Sequence, residues 1–186
     1  MKQGERDFFQ VGISPEKLYL GLSWRDTLDT TGDWISFNCF NEEYRTAFKL
    51  LSLYGLRIDG TELLKGFGNY LQLYRNGTTA REIPTAGEVD SFGVVGENIF
   101  FSGSVPKHAF GAWNRELLLR RRSFALVADT VTPIEAGTPL TAVVNLQSAG
   151  PLRLNTTGEK LLFCAGNSLP IRQLKCSTSG NFPISH

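Results

Sequence analysis

The chain has 186 residues, 41% of them hydrophobic and 13 of them Phe; that is enough for one sizeable domain with a real core and too apolar for disorder. With 19 Lys and Arg against 18 Asp and Glu, the formal charge is +1, so a surface that neutralises many phosphates is not expected and nucleic-acid binding is disfavoured. The opening MKQGERDFFQVG is charged, and no apolar run is long enough to span a bilayer; the chain is expected to be made in a cytoplasm, with no signal peptide and no membrane partner.

Most of the chain reads as short strands punctuated by Gly, Pro, Asn or Asp. FFQVGI (8–13) and LYLGLSW (18–24) are expected strands, although glycine weakens both. The next segment, DTLDTTGD, gathers Asp26, Asp29 and Asp33 with several hydroxyls in a turn-rich stretch. Oxygen ligands in a bent loop make it a candidate calcium site, without EF-hand spacing. The competing reading is that Asp and Thr in turns cap their own backbone. WISFNCF (34–40) then alternates, with Ile35, Phe37 and Cys39 on one face and Ser36 and Asn38 on the other, as a half-buried strand does.

NEEYRTAFKLLSLYG (41–55) breaks the rhythm. Tyr44, Ala47, Phe48, Leu51 and Tyr54 recur at helical spacing, Asn41 can cap, Glu42 and Glu43 suit a helix start and Gly55 an exit, which predicts a helix near 41–54. A shorter helix is expected after Thr61, in ELLKG. NYLQLYRNG (69–77) sets Leu71 and Leu73 against Tyr70, Gln72 and Tyr74 and ends in Asn-Gly, the dipeptide of a two-residue hairpin turn. FGVV and NIFFSG (92–103) continue the strand pattern.

RELLLRRRS (115–123) sets three leucines directly against three arginines. Helical periodicity spreads both triplets around the axis and strict alternation fails too, so the environment is expected to change midway: leucines entering a core, arginines emerging at an edge or a partner. Asn114 is a candidate cap for a short helix here. Phe110 and Trp113 lie just upstream, and aromatic residues with Arg are enriched where protein surfaces meet. Phe110, Trp113, Arg115, Arg120, Arg121 and Arg122 are therefore the candidate protein-contact residues. A solvated basic turn beside a core element is the competing reading.

Beyond residue 125 the pattern becomes more uniformly β. SFALVADTV looks extended, TPIEAGTPL (132–140) is a turn-rich hinge, and LTAVVNL (140–146) alternates. PLRLN, KLLFC and LPIRQLK follow between turn signals. Cys39, Cys164 and Cys176 are too few and too widely spaced for a disulfide framework and are expected to be small buried hydrophobes. A tight turn at 166–170 would place Cys164 near Ile171 rather than Cys176.

Catalytic signals are sparse. The histidines are His108, in a loop-like stretch, and the terminal His186, and a loop-packed imidazole is the expected role of the first. No nucleophile elbow, phosphate-binding glycine loop or zinc spacing occurs. The expected fold is mainly β and antiparallel, a β-sandwich or small barrel with one or two short helices, organised as a β-rich part over 1–125 with the helix and a second β-rich part over 126–186. The whole chain, in its Gly/Thr/Pro-punctuated β style, resembles viral or phage particle components such as decoration, fibre-base or tail-associated proteins. That resemblance implies a non-enzymatic structural protein, without a cofactor, that contacts protein partners or other copies of itself and is incorporated into a virion. The alternatives are a carbohydrate-binding β module, using exposed Trp from among Trp24, Trp34 and Trp113, and a hydrolase with an inconspicuous carboxylate pair.

Overall fold

Alternating side chains and tight two-residue turns dictate antiparallel pairing, and every strand pair among the described residues is antiparallel. The computed structural model describes residues 15–19, 21–39, 50–66, 69–79, 86–106, 108–135, 140–145, 147, 149, 152–157, 160–165 and 169–174. The chain divides into two compact units, Met1–Gln147 and Ser148–His186.

In the first unit a 3-10 turn at Pro15–Lys17 precedes β1 (Gly21–Arg25), β2 (Trp34–Asn38), β3 (Ser52–Ile58), β4 (Thr61–Lys65), β5 (Leu71–Arg75) and β6 (Thr78–Thr79). These are followed by β7 (Glu88–Val95), β8 (Asn98–Val105), β9 (Gly111–Arg120), β10 (Phe124–Pro133) and β11 (Leu140–Val144). They form three sheets, ordered β1-β2-β3-β4, β10-β9-β8-β7 and β11-β5-β6. The first two contribute facing sets of buried residues, Ile35, Phe37, Leu53 and Leu56 from one and Ile99, Phe101, Leu117 and Leu119 from the other. Phe37 and Phe101 stack with ring centroids 4.0 Å apart, giving a β-sandwich-like core. The second unit is a meander of β12 (Leu152–Thr157), β13 (Lys160–Ala165) and β14 (Leu169–Leu174). Its register sets Cys164 opposite Pro170 and Phe163 opposite Ile171.

Several expectations hold in detail. Ile35, Phe37 and Cys39 are buried while Ser36 and Asn38 are not, and Leu71 and Leu73 are buried. Asn76 and Gly77 turn the β5–β6 hairpin with φ of 50° and 74°, the doubly positive geometry that Asn-Gly admits.

The helices do not. Residues 41–49 of the helix expected near 41–54 lie outside the described residues, but Leu50 and Leu51 form a turn and β3 begins at Ser52. Leu51 has φ 51°, which ends any right-handed helix, and β3 pairs on both sides, with β2 and β4. The segment ELLKG is β4 rather than a helix. Asp59 and Gly60, with φ of 48° and 72°, form a second Asx-Gly hairpin turn that pairs Ile58 with Thr61, and neighbouring strands then capture those residues. The segment after Asn114 is likewise strand, not helix. The division expected at 125/126 falls inside β10, which pairs with β9 from Phe124 to Pro133; a ladder of that length holds residues on both sides of that point together, and the compact boundary lies at 147/148.

Candidate interaction surface

Strand β9 settles what the leucine and arginine triplets are. Its residues alternate strictly: Trp113, Arg115, Leu117 and Leu119 point into the core, and Asn114, Glu116, Leu118 and Arg120 point out. An arginine on the buried face disguises the pattern. Arg115 is 2% exposed. Its Nε and one terminal nitrogen donate to the two carboxylate oxygens of Asp129 at 2.7 and 2.8 Å, and Asp129 lies directly opposite on β10. The other terminal nitrogen donates to the carbonyls of Leu51 at 2.8 Å and Asn69 at 3.3 Å. Trp113 lies against the guanidinium, 5.3 Å from its ring centroid, and donates its Nε1 proton to Asp129 at 3.0 Å. A buried cation is tolerable only when paired and hydrogen-bonded in this way. Trp113 and Arg115 are therefore internal to the unit, where they tie β9 to the chain entering β3 and to the residue preceding Tyr70.

Arg121 and Arg122 form the β9–β10 turn, closed by the Ser123 N–H donating to the Arg120 carbonyl at 3.1 Å. Both arginines reach the β1–β2 loop. The Arg121 guanidinium pairs with Asp26, and the Arg122 guanidinium lies 3.9 Å from the same carboxylate. Asp33, 1% exposed, accepts the Asp59 N–H at 2.7 Å and the Arg122 N–H. Asp29 accepts from the Thr31 hydroxyl and N–H, the Thr27 hydroxyl and the Gly32 N–H. Those hydrogen bonds, the Thr31 hydroxyl's first, hold its carboxyl well below the usual carboxylate range. Asp26, Asp29 and Asp33 each serve a separate protein contact, and among the described residues no three His, Cys, Asp or Glu side chains converge to hold a metal ion. The acids cap and clasp the loop, as turn carboxylates do.

The apolar surface lies elsewhere. On the outer face of the β7–β10 sheet, register places Gly93, Phe100, Leu118 and Leu126 in one row across four strands. A side chain at Gly93 would meet the Phe100 ring, whose Cζ is 2.5 Å from the position a Cβ would take, so glycine there lets the ring lie flat across the sheet. The adjoining rows are Val95, Asn98, Arg120 and Phe124 on one side and Ser91, Ser102, Glu116 and Ala128 on the other. Phe100 is 37%, Phe124 45% and Leu126 54% exposed. A shallow depression of ≈ 280 Å³ lies beside Phe100 and Leu126, lined also by Ser102, Glu116, Leu118 and Ala128. Of the residues expected to make protein contacts, Arg120 lies on this face. Phe110 is half-buried, with the Arg75 guanidinium 5.2 Å from its ring centroid. The sequence contains Phe100, Leu118, Phe124 and Leu126, but their shared side depends on the register of the four strands.

Other candidate residues are spent on packing. His108 is buried; its Nδ1 accepts the Phe110 N–H at 3.2 Å, and burial pushes its pKa down. Cys39 is fully buried and its thiol is pushed up to about 12 by desolvation. Trp34 lies between Arg25 and Arg57, its partners in register on either side, at 5.0 and 5.9 Å, and donates Nε1–H to Ser23 at 3.2 Å.

The fold thus defines a mainly antiparallel β protein of sandwich-like architecture. No protein-family model, curated protein or solved structure matches the chain. Among the described residues no helix is long and apolar enough to cross a membrane.

Proposed function

We propose that this is a non-enzymatic structural protein that works by surface contact, assembling with other copies of itself or with neighbouring proteins. The observation that carries the reading is the outer face of the β7–β10 sheet, where Phe100, Phe124 and Leu126 are large, apolar and exposed in adjoining rows. Apolar area gathered on one face between polar flanks is what protein interfaces bury. Arg120 and Glu116 border the patch and supply the polar rim that sets orientation. In its specific form the proposal is a viral or phage particle component of the decoration, fibre-base or tail-associated kind, carried in the virion, where such contacts repeat across many copies.

Light scattering coupled to size-exclusion chromatography tests the reading. The intact chain is expected to elute as an oligomer, and the paired substitution Phe100→Ser with Leu126→Ser is expected to shift it towards monomer without loss of the folded β signal. A parent chain with monomer mass at every concentration and no partner protein bound contradicts the proposal.

A further inference from the structure

The two edges of the β10-β9-β8-β7 sheet are unlike. The β7 edge is defended. Its register is broken by a bulge between Val89 and Ser91, Leu18 bridges to Glu88, and Lys17 pairs with Glu88 at 3.3 Å and Asp90 at 3.0 Å. Bulges, covering segments and charges are the devices that stop one strand edge from pairing with another.

Among the described residues the β10 edge carries none of these devices. FALVADTVTP is ten residues long, and its register with β9 is continuous from Phe124 to Pro133. It contains no Lys or Arg, and its one proline is the last residue. Its single charged side chain, Asp129, turns inward to Arg115 and Trp113. Among the described strands β10 is hydrogen-bonded to β9 alone. Its other side therefore offers a long row of backbone donors and acceptors with no charge or kink to repel a partner.

We infer that this edge pairs antiparallel with the β10 edge of a second copy, about a two-fold axis passing within residues 125–128, to give one continuous eight-stranded sheet. The occupant is a second copy because antiparallel pairing of one strand with itself is self-complementary: each residue on one side of the axis meets its counterpart on the other. No unpaired charge enters the seam, since Asp129 brings its own arginine. Pairing also joins the exposed Phe124 and Leu126 of the two copies into one apolar strip, which deepens, and rests on, the assembly reading above.

The test is disulfide capture in the full chain, with Cys164→Ser and Cys176→Ser removing two native thiols and Cys39 left in place. Cysteine is introduced singly at Ala125, Leu126, Val127, Ala128 and Thr130, and at Phe100 in the middle of the sheet face, and each variant is oxidised mildly. Directly opposed strand residues have Cα atoms close enough for a disulfide, whereas a two-residue offset does not. One β10 position, the one on the axis, is expected to give a covalent dimer on a non-reducing gel, with at least a tenfold lower yield at Phe100. Capture at Phe100 with none along β10, or an oligomeric chain with no capture at any β10 position, overturns the edge pairing and leaves the assembly reading standing. A monomeric parent chain overturns the edge pairing, and one that also binds no partner protein overturns both.

Discussion

Arg115 and Asp129 face each other across β9 and β10, joined by two nearly parallel hydrogen bonds of 2.7 and 2.8 Å, with the arginine sealed from solvent. The same guanidinium binds the carbonyl of Leu51, a branched residue held at φ 51°. That left-handed conformation costs roughly 1–2 kcal/mol for an L-residue. One side chain thus joins the β10 edge, the β9 interior and the turn into β3.

Removing one partner of a buried pair leaves the other uncompensated. Asp129→Ala is expected to destabilise the fold by about 3–5 kcal/mol, measured by urea denaturation. Asp129→Asn combined with Arg115→Met removes the charges together while keeping an acceptor for Trp113, and is expected to cost less than Asp129→Ala. A double variant that is less stable than Asp129→Ala would show that the guanidinium's bonds to Leu51 and Asn69 matter more than its charge balance.

The loop clasp yields a contrast between two neighbours. Asp33→Ala strands the Asp59 and Arg122 N–H groups that it accepts and is expected to cost about 2–6 kcal/mol, the sum for two such donors. Arg122 has φ 53°, a 71% exposed side chain and only the 3.9 Å approach to Asp26. Arg122→Gly keeps the N–H and relieves the left-handed strain, so its midpoint of thermal unfolding is expected to match or exceed the parent's. A large loss there would give the guanidinium a structural role.

His108 sets a pH dependence. Burial lowers its folded pKa below the ordinary 6.5, so the unfolded chain binds the proton more readily and stability falls as pH drops below about 6.5 towards the folded value. Denaturation curves at pH 7.5 and 5.5 are expected to show this loss. His108→Asn, which keeps an acceptor for the Phe110 N–H but cannot titrate, is expected to flatten it. An equal slope in both proteins would place the titration elsewhere.

The Cys39 thiol, pushed up to about 12 by burial, is expected to be inert to a thiol-specific chromogenic disulfide reagent in native Cys164→Ser/Cys176→Ser protein. It should react fully once the chain is unfolded. Stoichiometric reaction under native conditions would mean that the β2 end opens readily.

How much of this was legible in the sequence follows from range. Where the inward face is apolar throughout, as at Ile35, Phe37 and Cys39 or at Leu71 and Leu73, alternation alone reveals the strand. In β9 the inward face includes Arg115, whose neutralisation depends on Asp129 and on a carbonyl 64 residues away, and no local pattern can report that. The helical spacing that ran on to Tyr54 yielded at Leu50 to the sheet neighbours of β3. Asp59-Gly60 carries the same turn chemistry as Asn76-Gly77, and it is this turn, not the helical propensity of ELLKG, that makes β4 a strand paired with β3. Arg120 is the last residue of β9, and Arg121 and Arg122 lie in the turn beyond it. That Arg121 and Arg122 clasp the molecule's own Asp26 and Asp33 required knowing which loops meet.

The proposed role rests on self-association through the apolar outside of the β7–β10 sheet. Sedimentation equilibrium of the unmodified 186-residue chain over a hundredfold concentration range measures it most directly. Self-assembly predicts a weight-average mass that rises with concentration towards a whole-number multiple of the monomer's; a monomer throughout the range contradicts it.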